Sequence, residues 1–132
     1  MRAINLSNHP STGWSPEQSE GFRAYTAELT GKAIPSLTIE DQDFPAIDPE
    51  ADEAAIRALA AGWITAHKSD LESGDILALH LMGETSFVCE LTRQLTWYEC
   101  VVLCSTTHRE VVPHPDGRKT SVFRFVRFRQ IG

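Results

Sequence analysis

No cysteine pair, glycine fingerprint or long apolar run marks this chain, and each absence removes a class of function. The three cysteines, Cys89, Cys100 and Cys104, are odd in number and none stands in a CxxC spacing. They read as reduced, mostly buried thiols rather than as a zinc site or a disulfide frame. GxGxxG is missing and so is GK[ST], which argues against an ordinary NAD enzyme or a P-loop ATPase. GxSxG is missing too, so the nucleophile elbow of the serine hydrolases has no counterpart. The loops offer hydroxyls, amides and a cation rather than clustered carboxylates and histidines, so neither a metal nor a cofactor is expected. No stretch approaches the roughly 18 apolar residues of a membrane span, and the first residues lack the charged-then-apolar pattern of a signal peptide. The expectation is a cytoplasmic protein that keeps away from membranes.

Positive charge is also scarce. Twelve Lys and Arg face 18 Asp and Glu, a formal net charge of −6, which does not suit coating a long nucleic acid by counterion release. A small phosphorylated ligand needs only a few well-placed donors and stays open as a partner. The 132 residues suffice for one core but not two, so a single domain over 1–132 is expected.

What is present is an alternation of strands and helices. Arg2 to Ser7 reads as a short strand ending in Asn8-His9-Pro10. Ser15-Pro16-Glu17-Gln18 is a helix start with a hydroxyl cap, proline at N1 and Gln18 closing a capping box. That helix should run to about Thr30, with Gly31 after its end and Phe22, Tyr25 and Leu29 on one stripe. Ala33 to Ile39 reads as a second strand, short or near an edge because of Pro35, and Asp41 to Ile47 as a loop. Asp48-Pro49-Glu50 repeats the cap-then-proline start, and Ile56, Leu59, Ala60, Trp63 and His67 mark one face of a second helix ending near Ser69.

Ser73-Gly74-Asp75 then turns the chain into the apolar strand Ile76 to Leu81. A polar turn, Met82-Gly83-Glu84-Thr85-Ser86, opens a third helix from Thr85 to about Leu95, with Phe87, Val88, Leu91 and Leu95 inward. Cys100 to Cys104 is a continuous apolar run, the pattern of a strand covered on both faces, followed by Ser105-Thr106-Thr107-His108-Arg109. Glu110 to Val112, the Asp116-Gly117 turn and Ser121 to Phe128 read as a terminal β-hairpin. The expected fold is therefore α/β, a Rossmann-like three-layer domain with a mainly parallel sheet and a C-terminal hairpin.

In such a sheet the strand-to-helix loops gather at one carboxyl edge, so the clusters after strands one, three and four should converge. Ser7, Asn8, Gly83, Glu84, Thr85, Ser86, Ser105, Thr106 and Thr107 are the candidate ligand-binding residues. Gly83 would let backbone approach a ligand, and Thr85 and Ser86 would offer hydroxyls at a helix N-terminus, where unpaired N–H groups favour an anion. The plainer reading makes Thr85 a cap, Gly83 a turn residue and Glu84 an acid favoured by the helix dipole. His9 and His108 lie in exposed polar clusters, and Arg109 adds a fork of donors suited to phosphate. His67 and His80 lie on elements expected to be buried and read as core or subsurface residues.

The opening strand into Ser7-Asn8-His9-Pro10, leading to Ser15-Pro16-Glu17-Gln18, resembles that of small CRISPR-associated single-domain proteins, the stand-alone relatives of the CARF domain that belong to the ring-nuclease group. The likeness is specific over about the first 20 residues. Beyond them it rests on size and βαβ order, with Met82-Gly83-Glu84-Thr85 and Ser105-Thr106-Thr107 where CARF-like folds contact ligand. The resemblance implies a homodimer binding a cyclic oligoadenylate at its two-fold axis and cleaving it without metal, through attack of a ribose 2′-hydroxyl on its own phosphodiester. It makes His9 or His108 the candidate acid or base and Arg109 the stabiliser of the phosphorane. Gly83, Thr85 and Ser86 become the phosphate cradle, and Asn8 a ribose or base contact. A non-catalytic cyclic-nucleotide sensor or sink would use the same residues, and an unrelated small nucleotide-processing hydrolase is the third function left open.

Overall fold

A computed structural model describes residues 1–33 and 36–132. The elements are β1 (Arg2–Ser7), a single 3-10 turn (Ser11–Gly13), α1 (Pro16–Thr30), β2 (Thr38–Asp43), α2 (Glu53–Ser73), β3 (Ile76–Leu81), α3 (Thr85–Leu95), β4 (Val101–Pro113) and β5 (Lys119–Gln130). They build one five-stranded sheet in the order β2-β1-β3-β4-β5. The first four strands are mutually parallel and β5 runs antiparallel to β4. The protein is a Rossmann-like α/β domain in which β1, β3 and β4 are adjacent, and the strand order reverses between β1 and β3.

Local chemistry sets most boundaries. Ser15 caps α1 by accepting from the Gln18 N–H at 3.1 Å, and Gly31, at φ 68°, ends it. Gly74, at φ 78°, ends α2: its N–H reaches the Leu71 carbonyl and the Asp75 N–H the Asp70 carbonyl at 2.9 Å, the paired bonds of a Schellman motif. This carries α2 four residues past the expected stop at Ser69. Its start is also later than Asp48-Pro49-Glu50. Asp48 turns the chain by accepting from the Glu50 N–H at 2.9 Å, and Asp52 is the true cap, accepting from Ala55.

Two strands differ from expectation. Of the expected strand Ala33–Ile39, Ile34 and Pro35 lie outside the described residues, and β2 itself occupies Thr38–Asp43, taking in residues expected to be loop. Its sequence TIEDQD is polar because it is an edge strand, paired only with β1. β4 does not stop at Cys104. Ser105, Thr106, Thr107, His108 and Arg109 continue the strand and pair with Phe128 back to Phe123 of β5, so they are not a strand-end loop.

Helices α2 and α3 cover one face of the sheet over Ile4, Leu6, Leu79 and Leu81, contributing Ile56, Ala60, Phe87, Leu91 and Leu95. Helix α1 covers the other, where Phe22 meets Ala3, Ala78, Leu103 and Phe128. Fully burying a side chain such as Phe87 or Leu79 stabilises the fold by about 1.5–3 kcal/mol. At the amino edge Arg2 pairs with Glu40 at 3.0 Å, Asp70 at 2.9 Å and Asp75, tying β1, β2 and the end of α2 together.

Candidate ligand site at the carboxyl edge

The α1 face of the sheet carries a line of polar side chains from β2 to β4. Asn5 on β1 stands opposite Asp41 on β2 and His80 on β3. Asn5 Nδ2 donates to Asp41 Oδ1 at 2.9 Å and to the His9 carbonyl at 2.8 Å. Asn5 Oδ1 lies 2.8 Å from His80 Nδ1 and accepts from the Ser7 hydroxyl at 2.9 Å. His80 Nε2 lies 3.2 Å from Ser105 Oγ on β4. The line thus crosses four strands, from Asp41 through Asn5 and His80 to Ser105, with a branch through Ser7 to the His9 backbone, whose N–H donates to Ser7 Oγ at 3.2 Å.

Asn5, Ser7 and His80 are buried, and every one of them is hydrogen-bonded, as most buried polar groups are. His80 sits among aromatic rings, with Trp14, Phe128 and Phe22 centred 5.1, 5.6 and 6.3 Å away. Burial there pushes its pKa down to about 4, so the ring is neutral at physiological pH. Burial alone would raise the Asp41 carboxyl. Hydrogen bonds from Asn5 Nδ2 and from the N–H and hydroxyl of Ser11, at 2.9 and 3.0 Å, outweigh it and hold the carboxyl below its usual range.

The expected site residues divide into three groups. Ser7 and Ser105 are joined through this line, and Asn8 and His9 follow at the exposed end of β1. Met82, beside Gly83, closes on β4, with its Sδ 2.8 Å from Ser105 Oγ. The third helix start is arranged differently. Glu84, not Thr85, caps α3: its carboxylate accepts from the N–H groups of Ser86 and Phe87 at 3.0 and 2.9 Å and from the Ser86 hydroxyl at 2.7 Å. These bonds, the Ser86 hydroxyl first, hold the carboxyl below its usual range. The protein's own anion therefore occupies the Ser86 hydroxyl and the Ser86 and Phe87 N–H groups that would meet a phosphate, though not the Thr85 hydroxyl. Gly83 is needed small because a Cβ there would come within 2.4 Å of the Phe44 ring, so Phe44 makes the close approach.

His108 and Arg109 stand apart from the edge. β3 pairs with β4 only as far as Leu103, and at about 3.3 Å per residue His108 lies about 17 Å further along the strand. Beyond the sheet, β4 and β5 continue as a two-stranded arm. Neighbouring strand residues face opposite ways, so His108 and Arg109 cannot both turn to one ligand from one arm. Arg109 bonds the Ser121 hydroxyl at 3.1 Å and Thr106 the Arg127 carbonyl at 3.3 Å; Thr107 is exposed.

Cavities lie on both sides of the sheet. One of about 560 Å³ lies beside α1, lined by Ser11, Thr12, Glu20, Arg23 and Thr38. Another of about 440 Å³ lies between the starts of α2 and α3, with Arg57, Ser86, Glu90 and Arg93 in its wall. Among the described residues no three His, Cys, Asp or Glu side chains come together as a metal-binding group, and no helix is long and apolar enough to cross a membrane.

The missed members of the site are Asn5, Asp41 and His80. The available signal was a polar residue between apolar neighbours in each buried strand: Asn5 between Ile4 and Leu6, and His80 between Leu79 and Leu81.

An α/β domain with a switch point between its first and third strands and a polar line beneath the carboxyl edge defines the class. Residues 1–129 match the model of the uncharacterized protein MJ1673 family, and the chain belongs to that family. No curated protein and no solved structure matches it.

Proposed function

We propose that this protein is a cytoplasmic binder of a cyclic oligoadenylate, which lies over the carboxyl edge of β1, β3 and β4 and is opened there by attack of its own 2′-hydroxyl. One observation carries the reading: the ends of β1 and β3 flank the switch point, where open α/β sheets bind ligands, and Ser105 of β4 is tied to both through His80 and Asn5. His9, exposed beside Asn8, is the candidate acid or base nearest this line. The resemblance of the opening segment to the ring-nuclease group supplies the ligand class and the metal-free reaction. In this reading two copies enclose the ring about a shared axis, and the arm of each brings His108 or Arg109 over the other's edge.

A specific observation favours the non-catalytic sensor or sink as the second reading. The α3 donors are held by Glu84, and His108 and Arg109 face opposite ways, so a single copy does not assemble the expected catalytic set. Incubation with cyclic tetra- and hexa-adenylate in EDTA, followed by chromatography, separates the readings. Linear products with 2′,3′-cyclic phosphate ends are the expected result, and an intact ring retained by the protein means a sensor or sink. Release of free base, or cleavage only with added metal, means an unrelated hydrolase, and no retention of either ring overturns the proposal. Sedimentation as a monomer with and without the ring would remove the dimer.

A further inference from the structure

We propose that Ser105 meets its ligand only as a hydrogen-bond acceptor, because its own proton is held by His80, and that it therefore selects a hydroxyl or amine of a nucleotide rather than a phosphate oxygen. This rests on the reading of the carboxyl edge as a nucleotide site.

The direction of each bond follows from its neighbour. The Asp41 carboxylate and the His9 carbonyl are pure acceptors, so the group of Asn5 that faces both is its NH₂, and the amide has one orientation. Its oxygen then faces His80 Nδ1 at 2.8 Å, so Nδ1 carries a hydrogen. The imidazole is neutral in its aromatic surroundings, with burial lowering its pKa to about 4, so Nε2 has a free lone pair. Ser105 Oγ, 3.2 Å away, donates to it. The rival acceptor is Met82 Sδ, nearer at 2.8 Å, but a thioether is a weak acceptor beside the lone pair of an imidazole nitrogen. What Ser105 turns outward is a lone pair.

A phosphate oxygen carries no proton to give such a lone pair. A ribose 2′-hydroxyl or the exocyclic amine of adenine does. Ser105 is half-buried at the edge, and the unbranched Met82 side chain, which lies against it, is flexible enough to yield to a ligand.

The tautomer of His80 tests the direction of the chain without any ligand. Long-range proton–nitrogen correlation spectra should show Nδ1 protonated and Nε2 unprotonated, whereas a protonated Nε2 would make Ser105 a donor to ligand and overturn the proposal. Calorimetry with cyclic tetra-adenylate, its 2′-deoxy analogue and cyclic tetra-inosinate tests the selection. Ser105→Ala should weaken binding of the adenylate ring by about 3- to 10-fold, the effect of one neutral hydrogen bond, and should cost nothing with the analogue that lacks the donated group. The 2′-deoxy ring losing sensitivity identifies the ribose hydroxyl; the inosinate ring losing it identifies the amine. Equal weakening for all three rings, or for none, overturns the selection. Wild-type protein that binds none of the rings overturns the nucleotide reading itself, while the spectra still decide whether Ser105 is an acceptor.

Discussion

The two faces of the sheet are built on different principles. Beneath α2 and α3 the buried contacts over β1 and β3 are apolar, Ile4, Leu6, Leu79 and Leu81 meeting Phe87, Leu91 and Leu95, and the polar bonds of Gln42 to Trp63 and His67 lie at the β2 rim. Beneath α1 a smaller apolar cluster around Phe22 and Phe128 shares the face with Asn5, Ser7 and His80. Because successive strand residues alternate in direction, β1 and β3 each serve both faces at once. Ile4 and Leu6 hold α2 and α3, while Asn5 and Ser7, alternating with them, face α1. The first face secures the fold through area removed from water. The second is held by directional bonds that have one arrangement, and it delivers an oriented hydroxyl to the edge.

The largest effect expected is on the apolar face. Phe87→Ala should destabilise the protein by about 3–5 kcal/mol, the usual cost of emptying a buried aromatic site, read from denaturant midpoints. On the α1 face Asn5→Ala should cost about 2–4 kcal/mol, although it removes far less apolar area, because buried His80 Nδ1 and Asp41 lose their partner. A loss below about 1 kcal/mol would mean that the polar line is not a structural element.

Acid sharpens the contrast. The His80 ring has a folded pKa of about 4 against 6.5 for an unperturbed histidine, so between these values the unfolded chain binds more protons. Stability should be fully present above pH 6.5 and fall as pH is lowered toward 4, by on the order of 3 kcal/mol. His80→Leu should abolish that part of the acid sensitivity, and Phe87→Ala should retain it. Urea titrations at a series of pH values check the difference. An unchanged slope between pH 6.5 and 4 in His80→Leu would contradict the assignment.

At the loop after β3, Gly83→Ala should cost about 1–3 kcal/mol, the range for overpacking, because the added methyl meets Phe44. Combining it with Phe44→Ala should leave a smaller penalty than the two single changes sum to, read from the same urea titrations. The smallest effect on stability belongs to Ser105→Ala, below about 1 kcal/mol, since Ser105 is half-buried and water can replace its bond to His80.

Much of this fold was legible in the sequence because its punctuation is local. Ser15-Pro16 and Gly31 bound α1, and Asp116-Gly117 lies in the turn between β4 and β5, with Gly117 at φ 85°. What was not legible depends on partners. An edge strand such as TIEDQD has no apolar alternation to show, and the length of β4 is set by its pairing with β5 rather than by its own polarity. Ser7 and Ser105 could be picked from their clusters. Asn5 showed only as a polar residue between Ile4 and Leu6, and Asp41 did not show at all, since only the register of β1 with β2 makes it the neighbour of Asn5. His80 was read as a core residue, and it is buried; the contact that gives it a further role comes from a strand 25 residues away. At α3 the helix start was legible, but not that Glu84 would fold back onto the donors offered to a phosphate.

The difference between the faces makes one claim above the others: ligand binds over the polar line and not against the apolar face. Backbone amide shifts recorded during titration with cyclic tetra-adenylate test it directly. The account predicts changes concentrated at Ser7 to His9, Met82 to Glu84 and Ser105 to Thr107. Changes concentrated instead at Arg57, Ser86, Cys89 and Arg93, around the cavity between α2 and α3, would contradict it.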